Sequence, residues 1–291
     1  MNAILGGLLL FIVMLAWLWR LGVRNEAGIR RAWPRFLTRS GVNALRCRCS
    51  PWFVFLRARL SPTGYLGLHL TVGALILIGA GWLFGGVAQD VVSGDPLTVV
   101  DGQVAAWFHA RAVPTLTDGM LVISDFNGIV GITILSLLVS IYLIWKREWP
   151  WLGALVLAVP GGMLLNVLTK HAFGRVRPSF TDPILTLTTF SFPSGHVAGA
   201  SLFYGFLAVY LVPKIPTWGW RVLVVLTAFF AIVLIALSRV YLGVHFLSDA
   251  LAAFAESTAW LAFTLTAVHT ATALWETTSN RDEANVRRPG A

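Results

Sequence analysis

Seven stretches of this 291-residue chain run for about the thickness of a membrane with almost no charged side chain. A helix needs about 20 mostly apolar residues to cross ~30 Å of hydrocarbon. The stretches are residues 3–19, 65–87 (the most apolar part of the charge-free 61–89), 126–145, 149–169, 194–213, 222–238 and 246–273. Only Asp249 and Glu256 interrupt the last of them with acidic groups. Charged residues are 12% of the chain, about half the ~25% of a soluble domain. The mean hydropathy is +0.75, which excludes intrinsic disorder. The expected fold class is therefore all-α, a polytopic membrane helical bundle.

The basic residues orient the bundle. Ten arginines and a single acid, Glu26, lie in residues 20–59. Lys146, Arg147, Lys214, Arg221, Arg281, Arg287 and Arg288 fall on the same side if the seven spans alternate. By the positive-inside rule that side is cytoplasmic, so the N-terminus faces out and the C-terminus in. The first span lacks the basic start and cleavage pattern of a signal peptide and reads as retained. The aromatic, arginine-rich segment after it reads as an anchor on anionic headgroups, with no nucleic-acid module in it. The expected organisation is an N-terminal transmembrane helix over 1–23, a basic interfacial segment over 24–61, a six-helix catalytic domain over 62–275 and a cytoplasmic tail over 276–291. Residues 91–118 form the longest outer connection, with a short surface helix expected over 99–110. Cys47 and Cys49 are too close to form a good disulfide, and no Cys/His set has zinc spacing.

A few charges defy the orientation bias. Lys170, Arg175, Arg177 and Arg239 sit at the outward ends of spans. They belong to three clusters, Lys170-x6-Arg177-Pro178, Pro193-Ser194-Gly195-His196 and Ser238-Arg239-x5-His245-x3-Asp249. Cations gather at a low-dielectric boundary when an anion neutralises them. Arginine offers paired donors to phosphate oxygens, and lysine a point charge. Ser194 and Gly195 open a span, where helix N–H groups lack internal partners and the dipole is positive. His245 and Asp249 share a helix face. An aspartate on one imidazole nitrogen leaves the other free for attack. His196, beside the anion site, can protonate a leaving oxygen and later activate water. Each piece alone is an ordinary structural feature. Together, in order and on one face, they describe a phosphate pocket with a nucleophile and an acid.

These three motifs resemble those of the type 2 phosphatidic acid phosphatase (PAP2) superfamily, each without gap or substitution over residues 170–249. The resemblance implies a six-helix core formed by spans two to seven, with one extra N-terminal helix. It implies metal-independent phosphoester hydrolysis through a phosphohistidine on His245, with Asp249 as its partner and His196 as the acid. Lys170, Arg177, Ser194, Gly195 and Arg239 would hold the phosphate. Vanadium haloperoxidases share the motifs but are soluble. No cofactor and no metal are expected, and no obligate protein partner is evident.

Three further residues are accessory candidates. Arg175 would assist headgroup recognition, Glu256 is an ionisable group inside a span, and Asn166 would orient Lys170 one turn on. The expected substrate is a lipid phosphate embedded among membrane lipids, such as phosphatidylglycerol phosphate, phosphatidic acid, undecaprenyl diphosphate or a lipid A phosphate. A lateral cleft should admit its chains. The arginine bias and compact loops suggest a bacterial inner membrane with the site facing the periplasm. Two rival readings stand beside hydrolysis. One is a phosphotransferase using the same phosphohistidine. The other is an anion or lipid transporter, which would place its site nearer the midplane between repeated halves.

Overall fold

The computed structural model describes residues 65–286, and all regular structure among them is helical. The expected first span and the basic segment 24–61 lie outside the described residues. The helices are α1 (Tyr65–Ser93), α2 (Pro96–His109), α3 (Pro114–Phe126), α4 (Ile129–Trp145), α5 (Trp149–Phe173), α6 (Gly195–Leu211), α7 (Trp218–Tyr241) and α8 (Leu247–Val286). A 3₁₀ turn over Val212–Lys214 follows α6. Five segments are long and apolar enough to cross a membrane: Leu70–Ser93, Trp149–Phe173, Gly195–Lys214, Trp218–Tyr241 and Leu247–Ala273. A sixth arises if α3 and α4, bent by 46° at their junction, are one broken span. The described residues thus hold five such spans, or six if the bent pair is one, and the chain is an integral membrane protein.

Three details depart from the sequence reading. The surface helix begins at Pro96, three residues before its expected start. Residues 114–126, read as connection up to Asp118, form a full helix. The last helix continues past residue 273 to Val286. The break between α3 and α4 has a local cause. Asn127 caps back on the Ile123 carbonyl at 2.9 Å and accepts from the Tyr204 hydroxyl at 2.7 Å. Gly131 lets the chain fold tightly here, since a Cβ on it would lie 1.8 Å from the Phe126 carbonyl oxygen.

Helix α6 is the centre of the bundle. Val197 to Phe203 are all buried, and α5, α7 and α8 pack around them. The main apolar core joins Leu155, Ala158, Leu202, Phe206 and Tyr210. Small residues permit this closeness: a Cβ on Gly162 would lie 2.6 Å from Leu202 and 2.8 Å from Trp260. Without a hydrophobic drive between helices in lipid, such close packing is the main source of association. The outer surface stays apolar, with Leu75, Ile78, Trp82 and Leu168 exposed. The result brings the C-terminal ends of α5 and α7 together with the N-terminal ends of α6 and α8.

Candidate active site

Helix α5 ends at Gly174, whose φ of +58° is the left-handed cap that glycine favours. This places Lys170 in the last turn and throws the chain outward toward Arg177. The Lys170 ammonium donates to the carbonyls of Phe190 and Pro193 at 2.9 and 2.8 Å. Arg177 donates to the Thr189 carbonyl at 2.6 Å and the Val244 carbonyl at 2.5 Å. The segment Thr189–Pro193 therefore holds both cations at the pocket edge. Its Phe192–Pro193 peptide is cis. At the far side, Arg239 is 2% exposed and donates to the Ser124 hydroxyl.

His245 lies in the turn between α7 and α8 and is 1% exposed. Its Nδ1 faces Asp249 Oδ2 at 3.4 Å, and its Nε2 faces an Arg177 NH at 3.2 Å. Guanidinium is always a donor. Nε2 must therefore carry the lone pair and Nδ1 the proton. Burial first, then the nearby Arg177 and Arg239 charges, lowers the His245 pKa to about 4, against the opposing pull of Asp249. The imidazole is neutral at neutral pH. Arg177 is itself lowered by burial but stays charged, as guanidinium does in proteins.

Asp249 is fully buried and fully engaged. Oδ2 accepts from the Phe246 N–H at 2.8 Å and from the Ser191 hydroxyl. Oδ1 accepts from Arg175 at 2.7 Å. The Ser194 N–H donates to the Asp249 carbonyl at 3.1 Å, which docks the start of α6 onto α8. His196 follows in the first turn of α6, against the α3–α4 break: a Cβ on Gly128 would lie 3.6 Å from His196 Nε2. Buried polar atoms without a protein partner include Ser194 Oγ, Arg239 Nε and Asn166 Oδ1. Buried polar groups are normally satisfied, so a donor pair such as Ser194 and Arg239 suits an anion.

The structure brings the three sequence clusters into one site. The first meets the third through Arg177 and His245, and the second through Lys170 and the Pro193 carbonyl. The accessory candidates behave differently. Arg175 has its fork committed to Asp101, Ser248 and Asp249 and is 14% exposed at its side chain, so headgroup recognition by it is not supported. Asn166 donates to Glu256 at 3.0 Å, while Lys170 is held by carbonyls; the expected orienting bond is replaced by one to the acid. Glu256 also accepts from the Thr169 hydroxyl at 2.6 Å and ties α8 to α5. Ser124, Ser191, Ser248 and Asp101 escaped sequence reasoning. Ser248 lies inside the third motif, directly before Asp249, and Ser191 three residues before Ser194.

An apolar cleft of about 510 Å³ opens from this site between α4, α5 and α6. Gly195 and His196 form its inner end, and Ile132, Ser136, Val159 and Met163 line it. Leu137 and Val156 on its wall are exposed on the lipid-facing surface. Among the described residues, no group of three or more His, Cys, Asp or Glu is placed to hold a metal ion.

Residues 151–273 match the model of the PAP2 superfamily. Phosphatidylglycerophosphatase B of Bacillus subtilis (strain 168) is 42% identical over 106 residues, 36% of this chain and 52% of that protein. Undecaprenyl-diphosphatase of Sulfolobus acidocaldarius is 32% identical over 129 residues, 43% of this chain and 58% of that protein. The matches thus span a little over half the length of these curated relatives. The crystal structure of a transmembrane PAP2 type phosphatidylglycerolphosphate phosphatase from Bacillus subtilis aligns with a TM-score of 0.59 and 28% identity, covering 67% of this chain and 96% of that one.

Proposed function

From the premise that this chain belongs to the PAP2 superfamily, we propose that it hydrolyses the phosphate or diphosphate of a membrane lipid through a phosphohistidine on His245. One observation carries the reading: a buried imidazole with Nδ1 turned to Asp249 and a lone-pair-bearing Nε2 facing Arg177. That nitrogen is poised toward the place where cations would hold a phosphate.

In the first step His245 Nε2 attacks phosphorus as the bond to the lipid oxygen breaks. His196 gives its proton to that oxygen, and the lipid alcohol or lipid monophosphate leaves. Asp249 supports the positive imidazole ring of the phosphohistidine. In the second step His196 takes a proton from water, the water oxygen bonds to phosphorus, and the Nε2–P bond breaks. Lys170, Arg177, Arg239, the Ser194 hydroxyl and the backbone N–H at Gly195 would balance the equatorial charge. Arg177 would exchange its contact with Nε2 for phosphate oxygens. In this chemistry preorganised donors do most of the work, and the protein's own cations take the part that a metal plays elsewhere.

The cleft supports a lipid substrate, because it runs from His196 into the apolar wall that faces the bilayer. Phosphatidylglycerol phosphate and undecaprenyl diphosphate are the first candidates, from the names of the relatives. Phosphatidic acid and lipid A phosphates complete the panel. The reading sets the site at the outer face of a bacterial inner membrane and the C-terminus inside. The experiment is phosphate release by the purified protein across that panel, with His245→Ala beside the parent. Turnover by the parent and none by the variant is the expected result. Hydrolysis surviving in a folded His245→Ala protein would overturn the nucleophile assignment.

A further inference from the structure

Outside the phosphate pocket, the outer face carries a second buried charged cluster that none of the three motifs accounts for. Asp101, on the extramembrane helix α2, is 0% exposed. Its Oδ1 accepts from the Ser248 N–H at 2.9 Å, and its Oδ2 from the Ser248 hydroxyl and from Arg175 at 2.9 Å. The other arm of the Arg175 fork reaches Asp249 Oδ1 at 2.7 Å and Ser248 Oγ at 2.7 Å. The Arg175 guanidinium also lies over the Phe246 ring, 4.3 Å from its centroid. Its backbone carbonyl accepts from the Ser191 N–H at 2.8 Å, and the Ser191 hydroxyl donates to Asp249. Asp101, Arg175, Asp249 and His245 thus form one continuous chain, buried at every member but the partly exposed Arg175.

The charge arithmetic of that chain is informative. An arginine fork usually engages one carboxylate with both arms. Here it is split between two carboxylates, each 0% exposed. A guanidinium given wholly to Asp249 would cancel the charge that Asp249 must present to His245. Sharing it with Asp101 leaves the three groups with one net negative charge beside His245 while still fixing the position of Oδ1. A buried acid is costly without a partner. An apolar or amide side chain at position 101 would pack the same helix with less cost. The carboxylate therefore has a reason beyond packing.

Resting on the phosphohistidine reading above, we infer that Asp101 is a positioning residue for the reaction. Through Arg175 it holds Asp249 in register with His245 and leaves the Asp101–Arg175–Asp249 set with one net negative charge as the imidazole becomes cationic. The extramembrane helix α2 is by this argument part of the catalytic apparatus. Neither Asp101 nor Arg175 touches the lipid phosphate.

Asp101→Asn conserves shape and removes the charge. With the lipid phosphate that the parent cleaves fastest, kcat should fall by about tenfold or more, while KM stays within about twofold because the phosphate cage is intact. Inhibition by vanadate, which engages the same imidazole nitrogen, should weaken in step with kcat. A kcat within about twofold of the parent overturns the inference, and so does a loss confined to KM. If Asp101→Asn does not yield monodisperse protein in detergent, Ser248→Ala is read by the same constants against the same outcomes, since it loosens Asp101 without removing its charge. His245→Ala separates the two levels. Turnover in that variant sinks the nucleophile itself, whereas an inactive His245→Ala beside a fully active Asp101→Asn sinks only the role of Asp101.

Discussion

At the residue scale, the depressed pKa of His245 has consequences for both catalysis and stability. On the proposed phosphohistidine mechanism attack needs the neutral ring, and burial lowers its pKa to about 4. The acid limb of kcat/KM that this group controls should therefore lie near pH 4 and not near the ordinary ~6.5 of histidine. Stability follows the same group. Its folded pKa is below its unfolded one, so at low pH the unfolded chain binds a proton that the folded chain refuses. The contribution is fully present above about pH 6.5 and is lost as pH falls toward 4. Thermal melts in detergent should show a shallower decline over that window for His245→Gln than for the parent. Equal slopes would mean that the ring titrates normally in the folded protein.

Arg239 gives a second test at this scale. It is buried, it holds Ser124 with one arm, and its Nε has no protein partner. Lysine cannot reproduce a fork that serves both a hydroxyl and an anion. Arg239→Lys should lower kcat/KM by about 10²-fold, the usual cost of a lost charge-stabilising donor. Vanadate inhibition should weaken with it. A variant with parental kcat/KM would remove Arg239 from the phosphate cage.

At the element scale, what could be read in advance depended on where the signal was local. The charge-free runs marked the spans because lipid tolerates so few ionised groups, and α1, α5 and α7 contain the stretches expected from them. The motifs were legible because each lies within one short segment. Helix α3 was missed because Asp118 and Asp125 interrupt its apolar pattern, and only contact with α7 reveals why it is there. The Tyr241 hydroxyl accepts from the Val113 N–H at 3.1 Å and meets Thr117 at 3.0 Å. Asp101 was invisible for the same reason: its partners Arg175 and Ser248 lie 74 and 147 residues away. Arg175 was read as a headgroup contact because its spacing within the first motif says nothing of which way the fork turns.

The cleft between α4, α5 and α6 yields a prediction at this scale too. Ser136 lies on its wall, contributed by α4. Ser136→Trp would fill the apolar part and leave the phosphate cage untouched. The kcat/KM for a long-chain lipid phosphate should fall by about tenfold or more, while that for a water-soluble aryl phosphate should change little. Equal losses on both would show that the cleft does not take the chains. Packing deeper in the bundle can be probed by Gly162→Ala, whose new methyl group meets Leu202 and Trp260 at under 3 Å. Overpacking of this kind typically costs ~1–3 kcal/mol, read as a lower melting temperature in detergent.

At the scale of the whole molecule, the charge of +9 is an argument about orientation. If the seven spans alternate, most of the basic residues fall at one end, and the proposed phosphate-binding cations are the exceptions at the other. If topology follows the positive-inside rule, the loop between α5 and α6 faces outward and the turn between α4 and α5 faces the cytoplasm. Two exposed positions report on these faces. Val176 is 79% exposed in the first, and Trp145 is 74% exposed at the edge of the second. On a background in which Cys47 and Cys49 are serine, Val176→Cys should react with a membrane-impermeant maleimide in intact cells whose outer barrier has been opened. Trp145→Cys should react only after the inner membrane is permeabilised. The reverse pattern would turn the molecule over. The phosphate cage would then face the cytoplasm, and the arginine-rich segment would need an explanation other than topology. The expected pattern gives the lipid a defined route: its headgroup phosphate is cut at the outer surface while its chains stay in the bilayer beside α4.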